Sequence, residues 1–281
     1  MFDYTLYKQN VLNDKKFKEI GFIETEVLER LIDKLSFIKI TPKKILCVGS
    51  SLGQLSNYIT KIYPNAQLLA CDLLPIDTTS ALTESTGIEH IQHDIDLGLP
   101  YQENTFDLII SNLTLHKLDH TEHFIREIKR ILTNDGMFIF SMFGVETLKE
   151  IAIAWQGIDK YAHIQPFYDM HDIGDLALQA GFKQPVLDVE FVKFTYNTGE
   201  KAIQDIKERH DPLAHSNMRK TLTGKNRWQA FINQLSIKSP LEITYEIIYG
   251  YMVKQETNTA KLKNNTAKIT LDSLKKTLTR K

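Results

Sequence analysis

A five-residue apolar run, KILCV (44–48), ends at Gly49, and a second glycine, Gly53, follows at the head of a helical pattern over roughly 53–63. A strand that turns into a helix commits the chain to a crossover, because a parallel neighbour cannot be reached by a tight hairpin. AQLLACD (66–72) and FDLIIS (106–111) are further strands. A helix around HFIREIKRIL, the turn TNDG (133–136) and the strand MFIFSMF come next. Upstream, FIETEVLERLIDKL (22–35) spaces its apolar residues by three and four, as an amphipathic helix does. This alternation predicts an α/β fold: a mostly parallel sheet with helices on both faces.

After Gly144 the pattern is less regular. The polar, aromatic stretch WQGIDKYAHIQPFYD precedes a helix-like DIGDLALQAGF, a strand near PVLDVEFVKFTY and a long β-like run, ITYEIIYGYMVK (243–254). The expectation is a single domain over 1–281 with an inserted cap, built from 1–35 and about 145–182. The tail over 255–281 reads as a solvated extension or as a segment whose AKITLDSL packs back.

Charge narrows the partners. A formal net charge of −1 gives no general attraction to nucleic acid or to a membrane surface. No apolar run approaches the ~20 residues of a membrane span, and MFDYTLYKQNVLNDKK lacks an apolar signal core. Cys47 and Cys71, both within apolar runs, read as reduced thiols of a cytoplasmic protein, with no Cys/His cluster to make a metal site.

In an open parallel sheet, ligands bind beyond the carboxyl ends of the strands. Gly49 and Gly53 let a ligand approach the backbone beside a helix N-terminus, although a glycine pair alone serves a sharp turn equally well. Asp72 lies 19 residues beyond Gly53 and can accept hydrogen bonds from ribose hydroxyls. His93-Asp94-Ile95 stands where a third strand end would set Asp94 against an adenine amino group and Ile95 against its ring face. A dehydrogenase would need a nicotinamide site on the second half of the sheet, and no second glycine fingerprint is present.

The joint order of glycine turn, Asp72, Asp94, FDLIISNLTLH and LTNDGMFIFS resembles the class I S-adenosylmethionine-dependent methyltransferases, a Rossmann-like fold. The C-terminal half is similar to a narrower group. FYDMHDIGDLALQAGFKQPVLDVEFVKFTY (167–196), SMFGVETLKEI (141–151), LTGKNRW (222–228) and TYEIIYGYMVK (244–254) resemble the BioC family, the malonyl-acyl-carrier-protein O-methyltransferases of biotin synthesis. With VLERLIDKLSFIKITPKKIL (27–46), the resemblance covers nearly the whole chain. It implies S-adenosylmethionine held by Gly49, Ser51, Gly53, Asp72, Leu73, Asp94, Ile95 and Asn112, with Asn112-Leu113 leading to the active-site floor. It also implies methylation of the free carboxylate of malonyl-acyl carrier protein at the early pimelate stage.

Arg is the natural bidentate partner of a carboxylate. None occurs between Ile131 and Glu208, so the donors expected in the cap are Lys149, Lys160, His163 and His171, with His116 just after the Asn-Leu stretch. His116, His163 and His171 are the candidates to position substrate. Arg219, Lys220, Lys225 and Arg227 form a cluster suited to an acidic carrier protein.

Several positions depart from the family. Cys47 stands at the usual acid, Ser51 at the middle glycine, Lys117 at an aromatic position and Phe17-Lys18 at a Tyr-Asp, while HDPL (210–213) replaces a Gly-Ala-His-Asn block. These departures keep two other readings open. One is a non-catalytic binding or assembly factor on the same fold. The other is a protein side-chain modifier, like the mitochondrial assembly factor of respiratory complex I that shares the MFG…TL block.

Overall fold

The computed structural model describes residues 2–13, 21–49, 53–74, 88–208, 213–238 and 240–255. Ser51, Phe17-Lys18, all of HDPL but Leu213, and AKITLDSL lie outside the described residues. The helices α1 (Tyr4–Asn13) and α2 (Phe22–Ser36) precede strand β1 (Lys44–Val48), α3 (Gln54–Ile62), β2 (Gln67–Asp72) and β3 (Glu89–Gln92). Then come β4 (Phe106–Ser111), α4 (Thr121–Ile131), β5 (Leu132–Phe143), α5 (Lys149–Trp155) and α6 (Met170–Gln179). The last elements are β6 (Lys183–Tyr196), α7 (Gly199–Glu208), α8 (Lys225–Leu235) and β7 (Leu241–Val253).

The strands form one seven-stranded sheet in the order β3-β2-β1-β4-β5-β7-β6. The first five run parallel, and β7 is antiparallel to both β5 and β6. KILCV and FDLIIS are apolar on successive residues because both faces of a parallel sheet are covered. Ile45, Cys47, Leu108 and Ile110 face α2 and α3, whereas Leu46, Val48 and Ile109 face α4 and α6. From α2 the buried side chains are Ile23, Val27, Leu28, Leu31 and Leu35, and from α4 Phe124, Ile125, Ile128 and Ile131. β6, at the edge, carries Lys183, Asp188, Glu190 and Lys193, charges that discourage a further strand from pairing.

Two local differences from the sequence reading have plain causes. TNDG is expected as a turn ahead of a strand, but β5 runs through it from Leu132 with a register shift between Phe106 and Leu108. Asp135 has a φ of 62°, and the stretch stays in the sheet because Asp135 N donates to Lys254 O at 2.7 Å and Thr133 Oγ1 donates to Phe106 O at 3.2 Å. The helices α1, α5, α7 and α8 are not legible as periodic runs. α5 and α8 bury their apolar residues largely against each other through Trp155 and Phe231, whose rings stack at 4.4 Å. Among the described residues, no helix is long and apolar enough to cross a membrane.

Candidate active site

The β1–α3 turn lies at the carboxyl edge of the sheet, with Gly49 at φ 63° and Gly53, the N-cap of α3, at φ 91°. Gly49 N donates to Cys71 O at 2.9 Å, which fixes the turn to the end of β2. Thr114 packs so closely that a Cβ on Gly49 would lie 2.0 Å from its Oγ1. Glycine is needed here both for its backbone angle and for the space.

Cys47 is fully buried on the α2/α3 face. Burial pushes its thiol up to about 12, with Ser56 pulling the other way, so it is neutral at physiological pH. In this chain the position of the family's acid contributes core packing and no charge. Next to the turn, Gln54 Nε2 donates to Thr25 Oγ1 at 3.0 Å, and its buried Oε1 has no hydrogen-bond partner among the described residues.

Asp72 is the last residue of β2; its Oδ1 accepts the Leu74 N–H at 3.1 Å, and Leu73 beside it is half-buried. Asp94 follows β3 and accepts the Asp96 N–H at 3.3 Å, while Ile95 is buried. The sequence sets Asp94 against an adenine amino group, but in the structure its carboxylate holds α1. The Tyr4 hydroxyl donates to Oδ1, and Lys8 Nζ donates to Oδ2 at 2.6 Å. Burial disfavours the charged form of Asp94, and the bonds from Lys8 and Tyr4 outweigh it, holding the carboxyl below its ordinary value.

The sign of that shift sets a pH dependence. The bond's stabilisation is fully present above the ordinary carboxylate value of ~3.9 and is lost as pH falls through the lower folded value. Lys8 is 37% exposed, so the effect is below about 1 kcal/mol. Protection factors of the α1 amides should fall on acidification from that ordinary value downward, and Asp94→Asn should flatten the response. If that variant keeps the wild-type pH dependence, the carboxylate is not what ties α1 down.

Asn112, 1% exposed, is spent on structure: its Nδ2 donates to Glu24 O at 3.1 Å, and its Oδ1 accepts from Ser141 Oγ at 2.6 Å. These bonds lock the end of β4 to α2 and β5. They hold Leu113 at φ 49°, an unusual backbone for a γ-branched residue, with its N–H on Ser141 O at 3.0 Å. Such strain, over-determined by its surroundings, collects at functional sites.

A cavity of about 490 Å³ opens beside this floor, lined among others by Phe143, Phe167, Trp155, His163, Gln165 and Phe231. Lys207, Trp228, Thr223 and Leu213 also face it. His116 is buried, its Nδ1 accepts the Phe143 N–H at 3.3 Å, and its ring touches Phe143 and Phe167 with centroids at 4.7 and 5.7 Å. It therefore backs the cavity wall. His163 lines the cavity directly, stacked on Trp155 at 3.7 Å with Nε2 on Asp159 Oδ1 at 2.8 Å. Burial raises the Asp159 pKa, but the bonds from His163 and Tyr161 N–H and the charge of Arg219 bring it below the usual range.

The structure separates the third histidine from these two. His171 sits in the first turn of α6 with an 82% exposed side chain bonded to Asp169, and it is not part of the cavity wall. Lys149 likewise pairs with Glu146 at the surface. Arg219 also departs from expectation. Its side chain is 16% exposed and lies 3.8 Å from Asp159 Oδ2, so it belongs to the cavity's supporting layer and not to an outward-facing basic cluster. Trp155, Trp228, Phe231 and Lys207 carry no motif that marks them as site residues; the signals in sequence are the aromatic stretch that begins at Trp155 and the matching block LTGKNRW that ends at Trp228.

Known proteins share both fold and sequence with this chain. A family model described as a methyltransferase domain matches residues 46–140. The malonyl-acyl-carrier-protein O-methyltransferase of Nitrosospira multiformis is 30% identical over 87% of this chain and 86% of its own length. That of Gallionella capsiferriformans is 30% identical over 83% and 84%. A Bacillus halodurans structure, solved as a candidate methyltransferase, superposes with a TM-score of 0.60 at 13% identity, over 82% of this chain and all of its own, and shares the fold. With the Rossmann-like sheet order and the glycine turn in place beneath a near full-length match, the chain belongs to the malonyl-acyl-carrier-protein O-methyltransferase family.

Proposed function

We propose that this protein esterifies the free carboxylate of a malonyl group carried on acyl carrier protein, with S-adenosylmethionine as methyl donor, at the early pimelate stage of biotin synthesis in the cytoplasm. The observation that carries the reading is the continuity of the two sites. Gly49 of the cofactor turn abuts Thr114, and His116, two residues on, touches Phe143 and Phe167 of the cavity wall.

The residues fit S-adenosylmethionine. Gly49 and Gly53 open the turn, Asp72 stands at the strand end for the ribose, and Gln54 Oε1 is a buried acceptor with no hydrogen-bond partner among the described residues. When bound, this cofactor supplies a methyl group made electrophilic by a sulfonium charge.

The chain's own work is binding and orientation. No Asp or Glu lines the cavity among the described residues, so an anionic substrate enters without like-charge repulsion. A carboxylate is ionised at neutral pH, so no residue need remove a proton. Asp159 accepts from the His163 Nε2–H, so a substrate oxygen is held at Nδ1 when the ring carries both protons. Gln165, Thr147 and Thr223 add polar groups to a wall that is mostly aromatic and aliphatic. Alignment of two reactants in such a site supplies up to ~7–11 kcal/mol of the barrier reduction.

Purified protein supplied with S-adenosylmethionine and malonyl-acyl carrier protein should yield the methyl ester and S-adenosylhomocysteine by mass spectrometry. His163→Ala should lower kcat/KM about 10- to 100-fold, the loss of one hydrogen bond to a charged group. Absence of ester under conditions where the Nitrosospira multiformis enzyme forms it would sink the reading.

A further inference from the structure

The geometry points to Lys207 as the site for the phosphate of a 4′-phosphopantetheine arm, with the arm laid along the Trp228 and Phe231 wall of the cavity. This inference rests on the function proposed above. A malonyl headgroup has only a handful of heavy atoms, whereas a cavity of about 490 Å³ is the size that takes a drug-sized ligand. Trp228, Phe231, Ile203 and Ile206 give the cavity apolar wall for the arm, with Thr223 as a polar side chain for one of its amides.

Lys207 closes that wall. It is exposed near the end of α7, and its Nζ lies 5.0 Å from the Trp228 ring centroid. No carboxylate among the described residues pairs with it, in contrast to Lys34, Lys149, Lys193 and Lys201, each held by Asp or Glu. A flexible ammonium on an aromatic face suits a phosphate met at the surface. It suits the reacting carboxylate poorly. That group must reach the floor at Phe143 and Phe167, and a direct cation there would stabilise the ground state more than it speeds methyl transfer. Lys220, Lys225 and Arg227, exposed along the chain leading into α8, extend the positive field towards an acidic carrier.

Steady-state kinetics with malonyl-phosphopantetheine and malonyl-pantetheine, which differ only in the phosphate, test the assignment. The wild type should prefer the phosphorylated thioester about tenfold in kcat/KM, through KM, and the preference should shrink with added salt. Lys207→Ala should bring the ratio near one, and Lys207→Arg should restore most of it. A wild-type ratio near one overturns the assignment while leaving the methyltransferase function standing. An unchanged ratio in Lys207→Ala also overturns it. So does an equal loss on both thioesters, which would put Lys207 on the malonyl carboxylate. Turnover of neither thioester while malonyl-acyl carrier protein is still methylated also overturns the assignment and leaves the methyltransferase function standing, whereas failure on malonyl-acyl carrier protein as well removes both.

Discussion

Asp72→Ala is expected to weaken S-adenosylmethionine binding by about 10²–10⁴-fold in calorimetric titration, with the fold intact. The carboxylate ends β2 beside the glycine turn and is held by the Leu74 N–H, so it is positioned before any ligand arrives. Two ribose hydroxyls donating to one charged acceptor give ~1.5–3 kcal/mol each, about 3–6 kcal/mol together. The side chain is only half-buried, so its removal leaves no large cavity. Asp72→Asn should recover part of the affinity, because one acceptor oxygen remains. An unchanged dissociation constant for Asp72→Ala would show that the ribose is held elsewhere.

Gly49→Ala is expected to destabilise the protein by about 2–5 kcal/mol in denaturant unfolding. Two causes add: a left-handed φ of 63° costs an L-residue ~1–2 kcal/mol, and the new Cβ, 2.0 Å from Thr114 Oγ1, costs ~1–3 kcal/mol of overpacking. They can be separated. Gly49→Ala combined with Thr114→Ala should recover the overpacking due to Oγ1 and Cγ2 and leave the backbone share and the 2.9 Å contact with the Cβ of residue 114. If the double variant is no more stable than Gly49→Ala, the contact with Thr114 is not what fixes glycine at this position.

The elements that define the sheet were legible because each buries both faces or one helical stripe. KILCV and FDLIIS end where their apolar runs end, and α2 spans the predicted stripe with one residue more. Gly49, Gly53 and Asp72 were legible as neighbours at the carboxyl edge of the sheet because they sit at fixed offsets from strand ends. Position does not reveal how far a side chain is already engaged. Asp94 is in the expected place after β3, yet its carboxylate anchors α1 through Tyr4 and Lys8, residues 90 and 86 positions away. Asn112 stands where the family resemblance puts the start of the active-site floor, yet both ends of its amide are spent tying β4 to α2 and β5.

The histidines separate the two kinds of knowledge most clearly. In sequence, His163 and His171 fall within the expected cap and His116 just after the Asn-Leu stretch, and only packing shows what each one does. One supports a wall, one faces the cavity on a Trp155 stack, and one is solvated at a helix start. The arginine-free span beyond Ile131 left the cap without a guanidinium, until the fold brought Arg219 to Asp159 from outside it. Sequence by itself determined the parallel sheet, the glycine turn and the family, since periodicity, turn residues and block order are local properties of the chain. Tertiary structure alone decided which polar groups face the cavity, what holds them and where Lys207 stands, because those depend on contacts between elements far apart in sequence.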